Sequence, residues 1–336
     1  MAARRGPARG KAADGRAPAL PCPAVEERAD VYTRVMEAIV AAIEGGMAKG
    51  RDWRMPWHRR REAGASPALP VNVAHGTAYR GVNALTLWAA AEARGYPAGL
   101  WGTFRQWADL GGRVRRGERA ATVVFWRFPD TAARGEAPSP AEDGEEGEDG
   151  ARRGPWTRAY AVFNAAQVDG ARMPADRAPK LPEDARIAAA ERFFAALPGL
   201  DLRHGGTAAF YAPATDHVQM PAFADFRTAE GYYGTLAHEA AHWTGHPKRL
   251  ARDLTGRFGS AAYAAEELVA ELGAAFAAAA LGLATEPRPA HACYVAHWLD
   301  LLRADRRAVF TAAGKAQAAA DWILAAAAAG AASAAR

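Results

Sequence analysis

The chain has 336 residues, more than the usual domain of about 100 to 200, and it reads as two domains with material for a core in each. Half the residues are hydrophobic and ten are Trp, which excludes a disordered chain as a whole; Cys22 and Cys293 alone exclude a disulfide framework or a CxxC metal clip, so a reducing cytoplasm is the expected location. The net charge of +5 is unevenly spread: residues 1–128 hold 21 Lys plus Arg against 11 Asp plus Glu, residues 129–150 hold one Arg against eight acids, and the remainder is nearly balanced.

In chain order, residues 1–24 are basic and rich in Ala, Pro and Gly without the apolar stretch of a secretory signal, and they read as a disordered arm. A first domain is expected over 25–172. Two β-like stretches, 121–128 and 157–168, flank an acidic segment that cannot bury itself, so 129–154 reads as a disordered insertion between paired strands. The Pro-rich stretch 173–182 reads as a linker, followed by a second domain over 183–336. There, residues 208–223 predict a β-hairpin with its turn at Pro213 to Asp216, whose edge strand is suited to adding an extended peptide or simply to core sheet. The final segment, AQAAADWILAAAAAGAASAA, is mostly Ala and contains Asp321; it reads as a packed helix, and no membrane partner is expected.

The most specific signal is TAEGYYGTLAHEAAHWTGHPKRL, with Thr228 placed as a helix N-cap and Gly245 followed by Pro247 as a stop. His238 and His242 are four apart and project from one face, the spacing needed to hold one Zn²⁺ through two imidazoles. Glu239 is the residue that would take a proton from water activated by the metal. A third ligand is expected from the helical run AAYAAEELVAELGAAFAAAALGL. Glu267 and Glu271 lie four apart among apolar residues, where unpaired carboxylates would be costly. Glu267 is assigned as ligand and Glu271 as the carboxylate that orients a ligating His, though the reverse order satisfies the same spacing. Glu266 reads as an exposed charge. On a continuous helix His246 would lie about 12 Å along the axis from His238, too far to share an ion unless the helix breaks at Gly245, and it is otherwise a candidate substrate contact.

Six of the ten Trp fall between Trp53 and Trp126, interleaved with arginines, the combination a single strand of DNA requires for its phosphates and unstacked bases. Trp88 and Trp126 read as core. Trp57, Tyr79 and Trp101 are candidates for stacking, and Arg80, Arg105, Arg113, Arg115 and Arg116 for phosphate contacts; core rings beside a solvated basic surface would produce the same pattern.

The runs TLAHEAAHWTGHPKRLARDL and FGSAAYAAEELVAELGAAF resemble the metallopeptidase domain of the ArdC family of antirestriction proteins, and VYTRVMEAIVAAIEGGMAKGRDWRMPW, GTAYRGVNALTLWAAAEARGY, WGTFRQWADLGGRVRRGERAATVVFWRF and AVFNAAQVDG resemble that family's single-stranded DNA-binding domain. The resemblance spans Val31 to Asp321 and implies a protein of conjugative plasmids and related mobile elements that shields incoming DNA from restriction. The expectation is an α+β fold in two domains, a single-stranded DNA-binding module followed by a zincin-like metallopeptidase acting on an unidentified protein or peptide. A DNA-binding protein whose zinc domain is structural or has lost turnover, and a stand-alone zinc protease, are the alternatives; the presence of Glu239 speaks against the first, since a structural site needs no general base.

Overall fold

The computed structural model describes residues 31–48, 55–57, 69–96, 99–127, 156–173, 183–257, 259–283 and 291–334. The expected basic arm, acidic insertion and linker, apart from Met173, lie outside these residues.

The N-terminal domain begins with α1 (Val31–Met47), whose buried Val35, Ile39, Ala42, Ile43 and Gly46 recur at three- and four-residue steps and form one stripe. That stripe lies against α2 (Gly81–Arg94), which ends where Gly95 takes φ 68° and the Tyr96 amide donates back to the Ala91 carbonyl at 2.9 Å. Asn83, near the start of α2, neither caps the helix nor faces outward. It exchanges two hydrogen bonds with the backbone of Val124, at 2.8 and 2.7 Å, and so fastens the helix to the sheet. The sheet has β1 (Val71–Asn72), β2 (Leu100–Gly102), β4 (Ala121–Arg127) and β5 (Trp156–Asn164) in the order β1-β2-β5-β4. Between β2 and β4 come α3 (Phe104–Asp109) and β3 (Arg113–Val114), which pairs with β6 (Val168–Asp169). β4 and β5 pair antiparallel from Ala121 opposite Val162 to Arg127 opposite Trp156, so the stretches flanking the acidic segment do meet.

The C-terminal domain opens with α4 (Glu183–Ala195) and a small sheet of β7 (Asp201–His204), β8 (Phe210–Ala212) and β9 (His217–Met220), ordered β7-β9-β8. β8 and β9 form the expected hairpin, its turn made possible by Asp216 in the left-handed region at φ 51°. Four helices follow: α5 (Ala229–Trp243), α6 (Ala261–Ala280), α7 (His291–Ala304) and α8 (Ala308–Ala334). α5 is capped by Thr228, whose side chain accepts the Gly231 amide at 3.0 Å, and α6 by Ser260, which accepts the Tyr263 amide at 3.2 Å.

The Ala-rich α8 buries Val309, Ala312, Ala313, Ala316, Ala320, Ile323 and Ala327, and its small side chains let backbones approach closely. A Cβ built on Gly273 of α6 would lie 3.2 Å from the Ala241 Cβ and 3.5 Å from the Ala316 carbonyl oxygen, so α5, α6 and α8 meet at a point with no room to spare. No helix among the described residues is long and apolar enough to cross a membrane.

The fold is mixed α+β with two domains, as expected, and each holds apolar clusters of its own, such as Tyr79, Leu87, Trp101 and Val123 in the first and Phe194, Val218, Leu236 and Ile323 in the second. The largest core cluster draws on both: Val35, Ile39, Leu85, Trp88 and Val124 pack with Leu268, Leu272, Phe276, Trp298 and Ala316, and Trp88 stacks on Phe276 with ring centroids 5.7 Å apart. α2 covers its apolar face with α8 as well as α1.

Candidate metal centre and its setting

One turn of α5 and the facing turn of α6 build the site. The four-residue step brings His238 and His242 together, Nε2 to Nε2 at 3.1 Å. Glu267 comes down from α6 with its oxygens 3.6 Å from His238 Nε2 and 3.4 Å from His242 Nε2. One donor atom from each of these three residues lies within 4.8 Å of the others, a spacing that fits one metal ion held by two imidazoles and a carboxylate.

The outer nitrogens of the two rings face two further carboxylates. His238 Nδ1 is 3.5 Å from Glu271, and His242 Nδ1 is 3.3 Å from Glu266. Such partners select the tautomer that leaves Nε2 free for a metal. The expectation of Glu266 as a plain exposed charge is therefore corrected: its side chain is 12% exposed and is gripped by the Arg252 guanidinium at 2.8 to 3.3 Å. The geometry places Glu267 between the rings and Glu271 behind one of them.

Electrostatics follow from this crowding. Burial disfavours the charged form of His242, but the carboxylates of Glu266, Glu267 and Glu239 outweigh it and push the imidazole up to about 9. Burial would raise Glu267 as well, yet its bonds to His238 and His242 hold it well below the usual carboxylate range. Glu239 is 5% exposed and lines the same cleft, which has a volume of about 310 Å³ and is also lined by Phe210, Tyr211, Pro213, Tyr263 and Tyr294. The Tyr263 hydroxyl meets that of Tyr294 at 3.2 Å; burial, this bond and Glu267 together raise it far above an ordinary phenol.

His246 does not join them. The helix ends at Trp243, the Gly245 amide donates back to the His242 carbonyl at 2.7 Å, and the chain then carries His246 to Asp216, with Nδ1 3.8 Å from a carboxylate oxygen. It is not among the residues that line the cleft. Asp216 is held by Arg249, whose guanidinium also lies 4.0 Å over the Trp243 ring, and this clamp fastens the β8–β9 turn to the end of α5.

Residues 29–163 match the family of the N-terminal domain of anti-restriction factor ArdC, and residues 188–315 match the zincin-like metallopeptidase family. Crystal structures of the antirestriction protein ArdC from plasmid R388 superpose with TM-scores of 0.68 for the metal-free form and 0.67 for the Mn(II)-bound form, at 36% identity, over 89% of this chain and 98% of theirs. The chain belongs to the ArdC family. The uncharacterized protein y4eC of Sinorhizobium fredii (strain NBRC 101917 / NGR234) is 54% identical over 294 residues, covering 88% of this chain and 91% of that one. DNA primase TraC of Escherichia coli is 34% identical over 307 residues, 89% of this chain but only 27% of TraC, so the present chain spans about a quarter of that relative. In this ArdC family member the zincin-like domain is thus a metal-binding type of fold, with the His and Glu cluster where a metal would sit.

The residues expected to meet DNA are sorted by burial in this ArdC family member. Trp57 and Trp101 are 1% exposed and Tyr79 6%, all inside the core, so the expectation that they stack on bases is corrected: a ring already packed on both faces offers none to a base. Arg80 is ion-paired with Asp321 of α8, and Arg115 with Glu118 at 2.7 Å and Asp169 at 3.2 Å. Arg105, Arg113 and Arg116 are exposed. Beside Arg105, at the start of α3, Phe104 is 60% exposed, and α3 packs against β3, which carries Arg113. Sequence reasoning missed Phe104, Arg252, Tyr263 and the partners of Trp57; of these only Phe104, next to Arg105 after a Thr that caps a helix, left a local trace.

Proposed function

We propose that this ArdC family member is a zinc-dependent peptidase whose N-terminal domain binds single-stranded DNA, in the service of DNA transfer past restriction. The observation that carries the peptidase reading is the buried Glu239 carboxylate beside the three candidate ligands in an open cleft, since a structural metal site has no use for a proton acceptor.

His238, His242 and Glu267 would hold the zinc. When bound, zinc supplies Lewis acidity that brings the pKa of water toward about 7. Glu239 accepts the water proton and returns it to the leaving nitrogen. β8 pairs with β9 alone among the described strands, and Phe210 and Tyr211 of β8 line the cleft, so its outer edge suits an extended peptide laid across the site. DNA binding is supported by the match to the ArdC N-terminal domain and by the exposed Phe104, Arg105, Arg113 and Arg116, the residue types that a single strand engages.

Glu239→Gln has nearly the shape of the original. It is expected to retain about one zinc per chain and its affinity for single-stranded DNA while hydrolysis of a peptide library falls by about 100-fold or more. Cleavage at the parent rate would overturn the role of Glu239. If the variant still protects DNA from restriction, binding alone does the shielding.

A further inference from the structure

We propose that Trp57, a residue of the N-terminal domain, is a positioning residue of the metal centre: its indole holds Glu271 in the place from which that carboxylate orients His238. The proposal rests on the reading of His238, His242 and Glu267 as ligands and adds to it a contribution from the other domain.

Glu271 is 4% exposed on the apolar face of α6, where each carboxylate oxygen needs a donor. Oε2 lies 3.5 Å from His238 Nδ1, and Oε1 accepts the Trp57 indole N–H at 3.1 Å. Trp57 and Glu271 are 214 residues apart, and the bond crosses from one domain to the other. An indole offers one donor in one fixed direction, and Trp57 has no freedom to turn it elsewhere: it is 1% exposed and lies against Trp298 with centroids 6.4 Å apart.

The other histidine shows what this achieves. Behind His242 stands Glu266, held by Arg252 of the same domain, a positive charge that competes with the imidazole for the carboxylate's field. Behind His238, Glu271 accepts a neutral indole N–H instead, a donor that fixes the carboxylate without adding a positive charge of its own. That donor comes from the N-terminal domain.

The test is zinc affinity of the full-length protein, measured by competition with a chromogenic chelator, in a double-mutant cycle of Trp57→Phe and Glu271→Ala. Trp57→Phe is expected to weaken zinc binding about tenfold, Glu271→Ala at least as much, and the double variant no more than Glu271→Ala alone. Trp107→Phe, which also removes a buried indole donor, here to the Phe163 carbonyl at 3.0 Å, should lower the melting temperature and leave zinc affinity at the parent value. Parent-like zinc affinity in Trp57→Phe, or losses that add in full, would overturn the proposal. Should Trp57→Phe not fold, the indole N–H resonance of Trp57 in the parent replaces it: it is expected to shift on zinc addition and to respond to Glu271→Gln, and a resonance unmoved by both refutes the link. A parent protein that takes up no zinc would instead overturn the ligand reading itself.

Discussion

The two domains treat their polar and aromatic residues in opposite ways. In the C-terminal domain charge lies inside: His238, Glu239, Glu267 and Glu271 are all buried, and Glu266 and Arg252 nearly so. In the N-terminal domain the interior holds Trp57, Trp88, Trp101 and Trp107, while Arg105, Arg113 and Arg116 stay outside. A Trp is buried for its own sake and an Arg exposed for its own sake, so finding both in one stretch specifies little. A buried carboxylate costs free energy unless something is built around it, and four in one place mark where the fold has been shaped by something other than stability.

The sharpest way to break this contrast is to empty the polar interior. His238→Ala with His242→Ala should reduce bound zinc from about one equivalent to almost none, by elemental analysis of protein purified without added metal. Retained stoichiometric metal would mean that the buried cluster is not the site. In the N-terminal domain the corresponding removal should act on stability alone: Trp101→Ala is expected to cost about 3 to 5 kcal/mol in denaturant unfolding, with single-stranded DNA affinity of the remaining folded protein unchanged. A tenfold loss of affinity at parent stability would place that ring on the DNA after all.

A gentler change addresses the outer cations. Arg113→Ala with Arg116→Ala should weaken single-stranded DNA binding and lower the slope of log affinity against log salt by about two, one for each phosphate that is no longer neutralised. An unchanged slope would assign both residues to ordinary solvated surface. The smallest expected effect concerns pH. His242 is raised in the folded, metal-free protein, so the stability it contributes is complete below its ordinary value near 6.5 and is lost as pH climbs toward about 9. In the presence of chelator the melting temperature should fall modestly across that window, and zinc affinity should rise across it because the imidazole must shed its proton to bind metal. A flat profile in chelator would show that the carboxylates around His242 do not hold its proton.

How far the sequence was readable follows the same division. The α5 helix was legible because its signals are local: Thr228 caps it, it ends two residues before Gly245, and a four-residue step sets the two histidines on one face. The β8–β9 hairpin was legible through its turn at Pro213 to Asp216. Glu266 was misread because the residue that buries it, Arg252, approaches from a loop that no periodicity describes. Trp57 was misread because its partner lies on α6, and nothing in the surrounding residues of a Trp says whether its ring will face water or a carboxylate in another domain. The shared core escaped for a related reason: the pattern of α2 announces an apolar helix without saying which elements will cover it.

That shared core has a consequence for motion. Enzymes that close on their substrates commonly bend at a hinge between domains, through a thin connection with few packed side chains across it. Here the junction is α2 laid on α6 and α8, with Trp88 stacked on Phe276, and a rigid rotation of one domain against the other would have to unpack it. The hairpin beside the cleft is tied to the end of α5 through Asp216 and Arg249. On the peptidase reading proposed above, a substrate would meet walls fastened to packed helices and would enter already extended rather than wait for jaws to shut on it.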